Sequence, residues 1–258
     1  MKLARFSLYL QVKIETKTKI MLSTSSIGKK FVQAVSGAFL ILFLLLHGTI
    51  NFFSVIDTFT GKYGSVANDE SLFSAGDGLF KWGCDFMSLP IIDIMVPILA
   101  LGFVVHIGYG CWLTFKNIRA RGGVKRYEVP SRAAADSWSA TNMFALGIII
   151  LGFICFHLCH FWAKMQLPEM FGIGNFENNP YLLLNVTFGA WWRLALYMLW
   201  FLAIWFHLCH GFWSMLQTVG WNNQIWLKRT RVIGIVVASL IMLLFVATAV
   251  NAFVQANF

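Results

Sequence analysis

Five stretches of the chain, residues 31–56, 94–115, 137–163, 194–217 and 232–258, contain no Asp, Glu, Lys or Arg. Each exceeds the roughly 20 apolar residues that a helix needs to cross the hydrocarbon core of a bilayer. Hydrocarbon offers no water to pair with backbone N–H and C=O groups, so a segment of this kind must satisfy them internally, as a helix. The expectation is an all-α integral membrane bundle of five transmembrane helices, residues 31–258 forming one domain behind a cytoplasmic N-terminal segment, residues 1–30. Composition agrees: 12% of the residues are charged and 58% hydrophobic, against about 25% charged in soluble domains. Residues 1–30 carry seven Lys/Arg among short apolar pieces and lack the h-region of a signal peptide, so the first helix is itself the targeting element. Residues 1–20 are expected to be dispensable, with translation able to begin at Met21.

Lys and Arg set the orientation. Seven precede the first helix, six lie between the second and third (Lys116, Arg119, Arg121, Lys125, Arg126, Arg132), and Lys228, Arg229 and Arg231 precede the fifth. These segments share one side of the membrane, and together they hold 16 of the 20 basic residues. The positive-inside rule makes that side cytoplasmic and places the C-terminus outside. Most acids fall on the other side: Asp57, Asp69, Glu70, Asp77, Asp85, Glu169 and Glu177. The net charge of +9 is thus topology, split over three membrane-proximal segments, and nucleic-acid binding is not expected. Cys84, Cys111, Cys155, Cys159 and Cys209 are odd in number, mostly within apolar runs, and read as packing residues rather than a disulfide framework.

All six histidines, His47, His106, His157, His160, His207 and His210, fall inside the expected spans. Ionisable groups are expensive at membrane depth and face the bundle interior. One of them alone reads as a core histidine bonded to a neighbouring helix, but their spacing has order. The first and third helices share Gly-x9-His, Gly37 to His47 and Gly147 to His157. The second and fourth share His-x3-Gly-x-Trp, His106-Gly110-Trp112 and His207-Gly211-Trp213. Each histidine lies past the middle of its helix, and successive helices run in opposite directions. His47 and His157 therefore lie toward the outer face and His106 and His207 toward the cytoplasm, roughly 10–15 Å apart in depth.

Two histidine pairs at two depths suit two stacked b-type haems, His47 and His157 on the outer iron and His106 and His207 on the inner. Imidazole is a good haem-iron ligand. Gly37 and Gly147 lie about 15 Å cytoplasmic of the outer histidines, where a missing side chain leaves room for the inner ring. Gly110 and Gly211 lie one turn beyond the inner ligands. Small-residue helix packing is the alternative use of all four glycines. His160 and His210, at i+3 from His157 and His207, are read as groups supporting the ligands or contacting haem propionates. Covalent haem attachment needs Cys-x-x-Cys-His. Cys155 and Cys159 are one residue too far apart for it, so the haems should be non-covalent.

At these residues the chain resembles the di-haem cytochrome b membrane-anchor subunit of succinate:quinone oxidoreductases, the succinate dehydrogenases and quinol:fumarate reductases. The resemblance covers nearly everything after Gly28. It rests on five helices with one ligand on each of the first four, Ser36-Gly37 opening the first, Asp136-Ser137-Trp138 before the third, and His207 followed by Gly211-Phe212-Trp213. It implies a subunit of a respiratory enzyme in the bacterial cytoplasmic membrane. A flavoprotein subunit with covalent FAD and an iron–sulfur subunit would dock on the cytoplasmic side and interconvert succinate and fumarate. Electrons would pass by the inner and then the outer haem to or from a quinone, menaquinone by expectation, near the outer face. Gln33 matches a family position near the inner propionates. Some relatives carry a Glu two residues before the ligand of the fourth helix; Trp205 stands there, which argues against a transmembrane proton path through such an acid. Asp57, Asp69, Glu70 and Asp85 are the candidate acids for quinone protons at the outer site.

Two other readings compete. One is the di-haem, quinone-reactive anchor of a hydrogenase or formate dehydrogenase, which this distribution of histidines over helices fits less well. The other is a histidine-lined transporter, for which helices broken by Gly or Pro at midplane would be expected. Pro90 and Pro97 lie instead near the outer start of the second helix.

Overall fold

The computed structural model describes residues 26–67, 73–120, 122–123, 138–172, 179–221 and 223–258. Every element among them is helical. The apolar stretches become five long helices: α1 Ser26–Phe59, α3 Pro90–Ala120, α4 Trp138–His157, α7 Trp191–Thr218 and α8 Gln224–Asn257. α4 runs on into a π-helical turn, Leu158–Trp162. Three short helices, α2 Leu79–Met87, α5 Gln166–Phe171 and α6 Pro180–Phe188, stand in the connections. Five helices are long and apolar enough to cross a membrane, and the protein is a multi-pass helical bundle by that measure. Leu42, Leu101, Val104, Ile148, Leu199 and Leu243 turn outward and are exposed, as a lipid-facing surface requires.

The long helices outrun their uncharged cores because helix ends are set by caps and hydrogen bonds, not by hydropathy. α8 starts at Gln224 rather than at residue 232, since the Asn223 side chain accepts from the Trp226 N–H at 2.8 Å and caps the helix. Lys228, Arg229 and Arg231 thereby join its first turns. α3 starts at Pro90, a residue suited to a first turn, and carries Pro97 within it. The short helices follow local signals as well. Asn179 accepts from Tyr181 N–H at 3.1 Å and Leu182 N–H at 3.2 Å, and Pro180 takes the first helical position of α6.

Contacts fix the directions. α1 and α8 run parallel: Gly48 abuts Phe245 and Leu244, and Asn251 reaches the Ser54 carbonyl. α3 opposes α1, with Gly102 against Phe39 and His106 against Gln33. α7 opposes α8, through Phe201 on Phe245 and Trp205 Nε1 donating to Ser239 Oγ at 2.9 Å. One end of the bundle gathers Lys29, Lys30, Lys116, Arg119, Lys228, Arg229 and Arg231 and is called the basic end. The other gathers α2, α5 and α6 and is called the capped end. The tightest packing joins α6, α7 and α8. Tyr181, Tyr197 and Ile241 are at 1% exposure, and Ala238, Ala249 and Ala252 give α8 a small-residue face on which neighbours close.

Candidate functional site

The structure brings the histidines together across the bundle. His47 on α1 meets His157 at the end of α4, ring centroids 5.9 Å apart and planes at 86°. His106 on α3 meets His207 on α7, centroids 6.2 Å apart and planes at 65°. Non-consecutive spanning helices pair in both cases. Gly37 is level with His106, ten residues from His47, so the two pairs are separated by about 15 Å along α1.

The spacing can be set against the geometry of a metal held on two sides. An imidazole nitrogen sits about 2 Å from its metal with the ring centroid ~1 Å behind it, so two opposed imidazoles have centroids about 6 Å apart. Edge-to-face aromatic packing spans the same range, so the ring nitrogens matter more. His157 Nδ1 and His207 Nδ1 are buried and have no hydrogen-bond partner, an arrangement that native interiors rarely leave uncompensated. Among the described residues no group of three or more His, Cys, Asp or Glu is placed to hold a metal ion. Each pair offers two ligands, and a macrocycle that brings four of its own would complete six. The donor set thus fits a bis-imidazole tetrapyrrole, and among the described residues no protein-only metal centre is placed.

The His106–His207 pair, nearer the basic end, has polar company. Gln33 Nε2 lies 3.3 Å from His106 Nδ1 and 3.4 Å from Nε2, and Ser36 Oγ lies 3.3 Å from Nδ1. The Gln33 amide and the Ser36 hydroxyl thus hold the His106 ring against α1. Gly37 lets the ring approach closely: a Cβ there would stand 3.3 Å from His106 Cε1, so the ring would have to give by a few tenths of an ångström. A Cβ on Gly110 would stand 3.4 Å from Gln33 Nε2. Gly147 and Gly211 have nothing within 4 Å of where a Cβ would be, so they border open space rather than a packed neighbour.

The His47–His157 pair is walled by aromatics. Phe43 stacks on His47 at 5.3 Å and Phe245 approaches it at 5.7 Å. Phe161 and Trp200 flank His157 at 5.1 and 5.5 Å. His160 falls in the π-helical turn that follows His157, and its Nδ1 lies 3.3 Å from the hydroxyl of buried Tyr197. Such turns recur at functional sites. His210 meets Trp213 edge-on at 5.0 Å, and its Nδ1 is buried without a partner. Tyr197, Trp200 and Phe161 had no sequence signal beyond being aromatic near a histidine.

The acids divide. Asp69 and Glu70 lie outside the described residues, as do residues 1–25 and Asp136-Ser137. Asp57 and Asp85 are buried and committed to structure. Asp57 accepts from Leu79 N–H at 2.8 Å, Phe80 N–H at 2.7 Å and the Tyr181 hydroxyl at 2.6 Å, tying α1 to the first turn of α2 and to α6. Asp85 pairs with Lys81 and accepts from Phe73 N–H at 3.2 Å. Burial, and then the bond to Asp57, push the Tyr181 phenol above its ordinary range; burial does the same to Tyr63, which donates to Asn185 Oδ1 at 2.6 Å. Gly78 is required here, since a Cβ would collide with the Tyr181 hydroxyl. A cleft of about 320 Å³ opens beside this cap, lined by Asp57, Lys62, Asp77 and Trp82 among others.

Trp205, where an acid would stand in some relatives of the resembled family, hydrogen-bonds Ser239 and joins α7 to α8. Set against protein-family models, curated proteins and solved structures, the chain finds no match in any of the three.

Proposed function

We propose that the chain is the membrane-anchor cytochrome b subunit of a succinate dehydrogenase or fumarate reductase. In that role it links an iron–sulfur partner to membrane quinone by electron transfer. The observation that carries the proposal is the pairing of His47 with His157 and of His106 with His207, at two levels about 15 Å apart along α1. Held between two imidazoles, a haem would supply single-electron exchange rather than oxygen binding. The residues do the rest. Four helices each bring one imidazole, Ser36 and Gln33 orient His106, and the Phe43, Phe245, Phe161 and Trp200 rings exclude water from the outer pair. By the positive-inside rule the lysines and arginines of the basic end support a cytoplasmic placement of that end, where the flavoprotein and iron–sulfur subunits would dock; the bacterial inner membrane comes from the family resemblance. Quinone chemistry is assigned to the capped end, nearer His47 and His157. The cleft beside α2 and the family resemblance support that assignment.

A reduced-minus-oxidised absorbance spectrum of the purified chain, with a pyridine haemochrome count, tests the reading. Two b-type haems per chain are expected, and their absence refutes it. Co-purification separates the variants of the idea. A flavoprotein carrying covalent FAD supports a succinate or fumarate enzyme, and a nickel or molybdenum subunit overturns that assignment in favour of a hydrogenase or formate dehydrogenase.

A further inference from the structure

His157 is held differently from His106. Its Nδ1 is buried and has no hydrogen-bond partner, so neighbouring rings rather than polar groups set its orientation. Besides His47, three aromatic side chains lie against it: Phe161 at 5.1 Å, Trp200 at 5.5 Å and Tyr197 at 6.4 Å. Phe161 belongs to the π-helical turn that follows, closed by Ala163 N–H donating to the Leu158 carbonyl at 2.8 Å. Turns of this kind are rare and concentrate at functional sites. The same turn carries His160, whose Nδ1 lies 3.3 Å from the Tyr197 hydroxyl. His160 also meets Phe156 edge-on at 4.1 Å, and Tyr197 packs on Phe156 at 5.8 Å and on Phe188 of α6 at 4.9 Å. Tyr197 lies on α7 and is 1% exposed. A hydroxyl buried so deeply needs a partner, and His160 supplies it. One side chain of α7 thus grips the end of α4 at Phe156, at His157 and, by a hydrogen bond, in the turn beyond them.

We propose that Tyr197 is a positioning residue for His157: its hydroxyl, bonded to His160, pins the π-helical turn and its Phe161, and so sets the plane of the His157 ring. This rests on the di-haem reading above. The planes of His47 and His157 stand at 86°, and those of His106 and His207 at 65°. Two planes cannot open beyond a right angle, so freeing the His157 ring can only narrow the first angle. Hydrogen bonds behind an axial ligand are one of the protein's levers on a haem. The angle between two axial imidazoles is read directly, because a wider angle makes the low-spin ferric signal more anisotropic.

The test uses the full chain purified in detergent, with electron paramagnetic resonance of the oxidised protein as the readout. His157→Ala first identifies the signal of the His47–His157 pair. Tyr197→Phe keeps the ring and removes the hydroxyl. It should lower the largest g value of that signal and leave the His106–His207 signal unchanged. His160→Leu should reproduce the shift, and the double variant should add nothing to either single one, since the two residues act through one hydrogen bond. His160→Asn, whose Oδ1 can accept from the Tyr197 hydroxyl in place of Nδ1, should stay near wild type. Wild-type chain without haem would refute the di-haem reading, and this proposal with it. Two haems in Tyr197→Phe with an unchanged g value would overturn the positioning role alone. A shift that His160→Leu does not reproduce would show that the hydroxyl acts on something other than His160, and would also overturn it. So would an equal shift of both signals, the mark of a general loosening of the bundle.

Discussion

Asp57→Asn tests whether the capped end is built around one buried carboxylate. Asp57 is 1% exposed and faces three donors, Leu79 N–H on Oδ1 and Phe80 N–H and the Tyr181 hydroxyl on Oδ2. Asparagine offers one oxygen. With that oxygen in the Oδ2 place, its NH2 confronts the Leu79 N–H, donor against donor, and one bond is lost while two lose their charge. Hydrogen bonds to charged groups contribute about 1.5–3 kcal/mol, and a buried donor left unpaired costs about 1–3 kcal/mol. The substitution should therefore destabilise the cap by about 3 kcal/mol. That energy corresponds to roughly a 100-fold faster opening of the first turn of α2. Hydrogen exchange read by mass spectrometry on peptides spanning α2 is the assay, with peptides from the middle of α7 as the internal reference. Exchange within about fivefold of wild type, where the energy predicts roughly 100-fold, would refute the reasoning. Loss of quinol-coupled turnover with unchanged exchange would show instead that Asp57 handles protons rather than holding the cap.

His47→Ala and His157→Ala should remove or perturb one and the same haem component in a redox titration, and His106→Ala and His207→Ala the other; matching effects from His47→Ala and His106→Ala would refute the pairing. Gly37→Ala places a methyl 3.3 Å from His106 Cε1 and should alter the spectrum and midpoint of the inner component alone, an effect that Gly147→Ala, with open space before it, should not show. Burial and the Asp57 bond raise the Tyr181 phenol in the folded state, so its contribution is full below its unfolded value of about pH 10 and is lost as pH rises through the higher folded one. Melting temperature should therefore lose a Tyr181-dependent part only above about pH 10. Tyr181→Phe should remove that part; an identical pH profile in the variant would refute the assignment.

Much of the bundle was legible in the linear chain because lipid leaves few choices. An uncharged apolar run of this length has to become a helix, and the alternation of basic segments orders the runs. The depth of each histidine followed from its position along its helix. That also decided which histidines could meet, since adjacent spans carry their late residues to opposite ends. In the structure the rings of His47 and His157 lie 5.9 Å apart and those of His106 and His207 6.2 Å apart. Helix ends were less legible, because Asn223 and Pro90 act through hydrogen bonds and backbone geometry that hydropathy does not register. What the tertiary structure alone decided is the company each group keeps. Asp57 read as a candidate acid for quinone protons, yet it accepts from Leu79, Phe80 and Tyr181, the last 124 residues away along the chain. Arg231 read as one of three charges fixing topology, yet it turns its guanidinium onto Trp213 with buried donors to spare. Helix formation and membrane depth are short-range properties that a segment carries by itself. Saturation of a carboxylate or of a guanidinium depends on atoms delivered by other segments, and only the packed bundle brings those together.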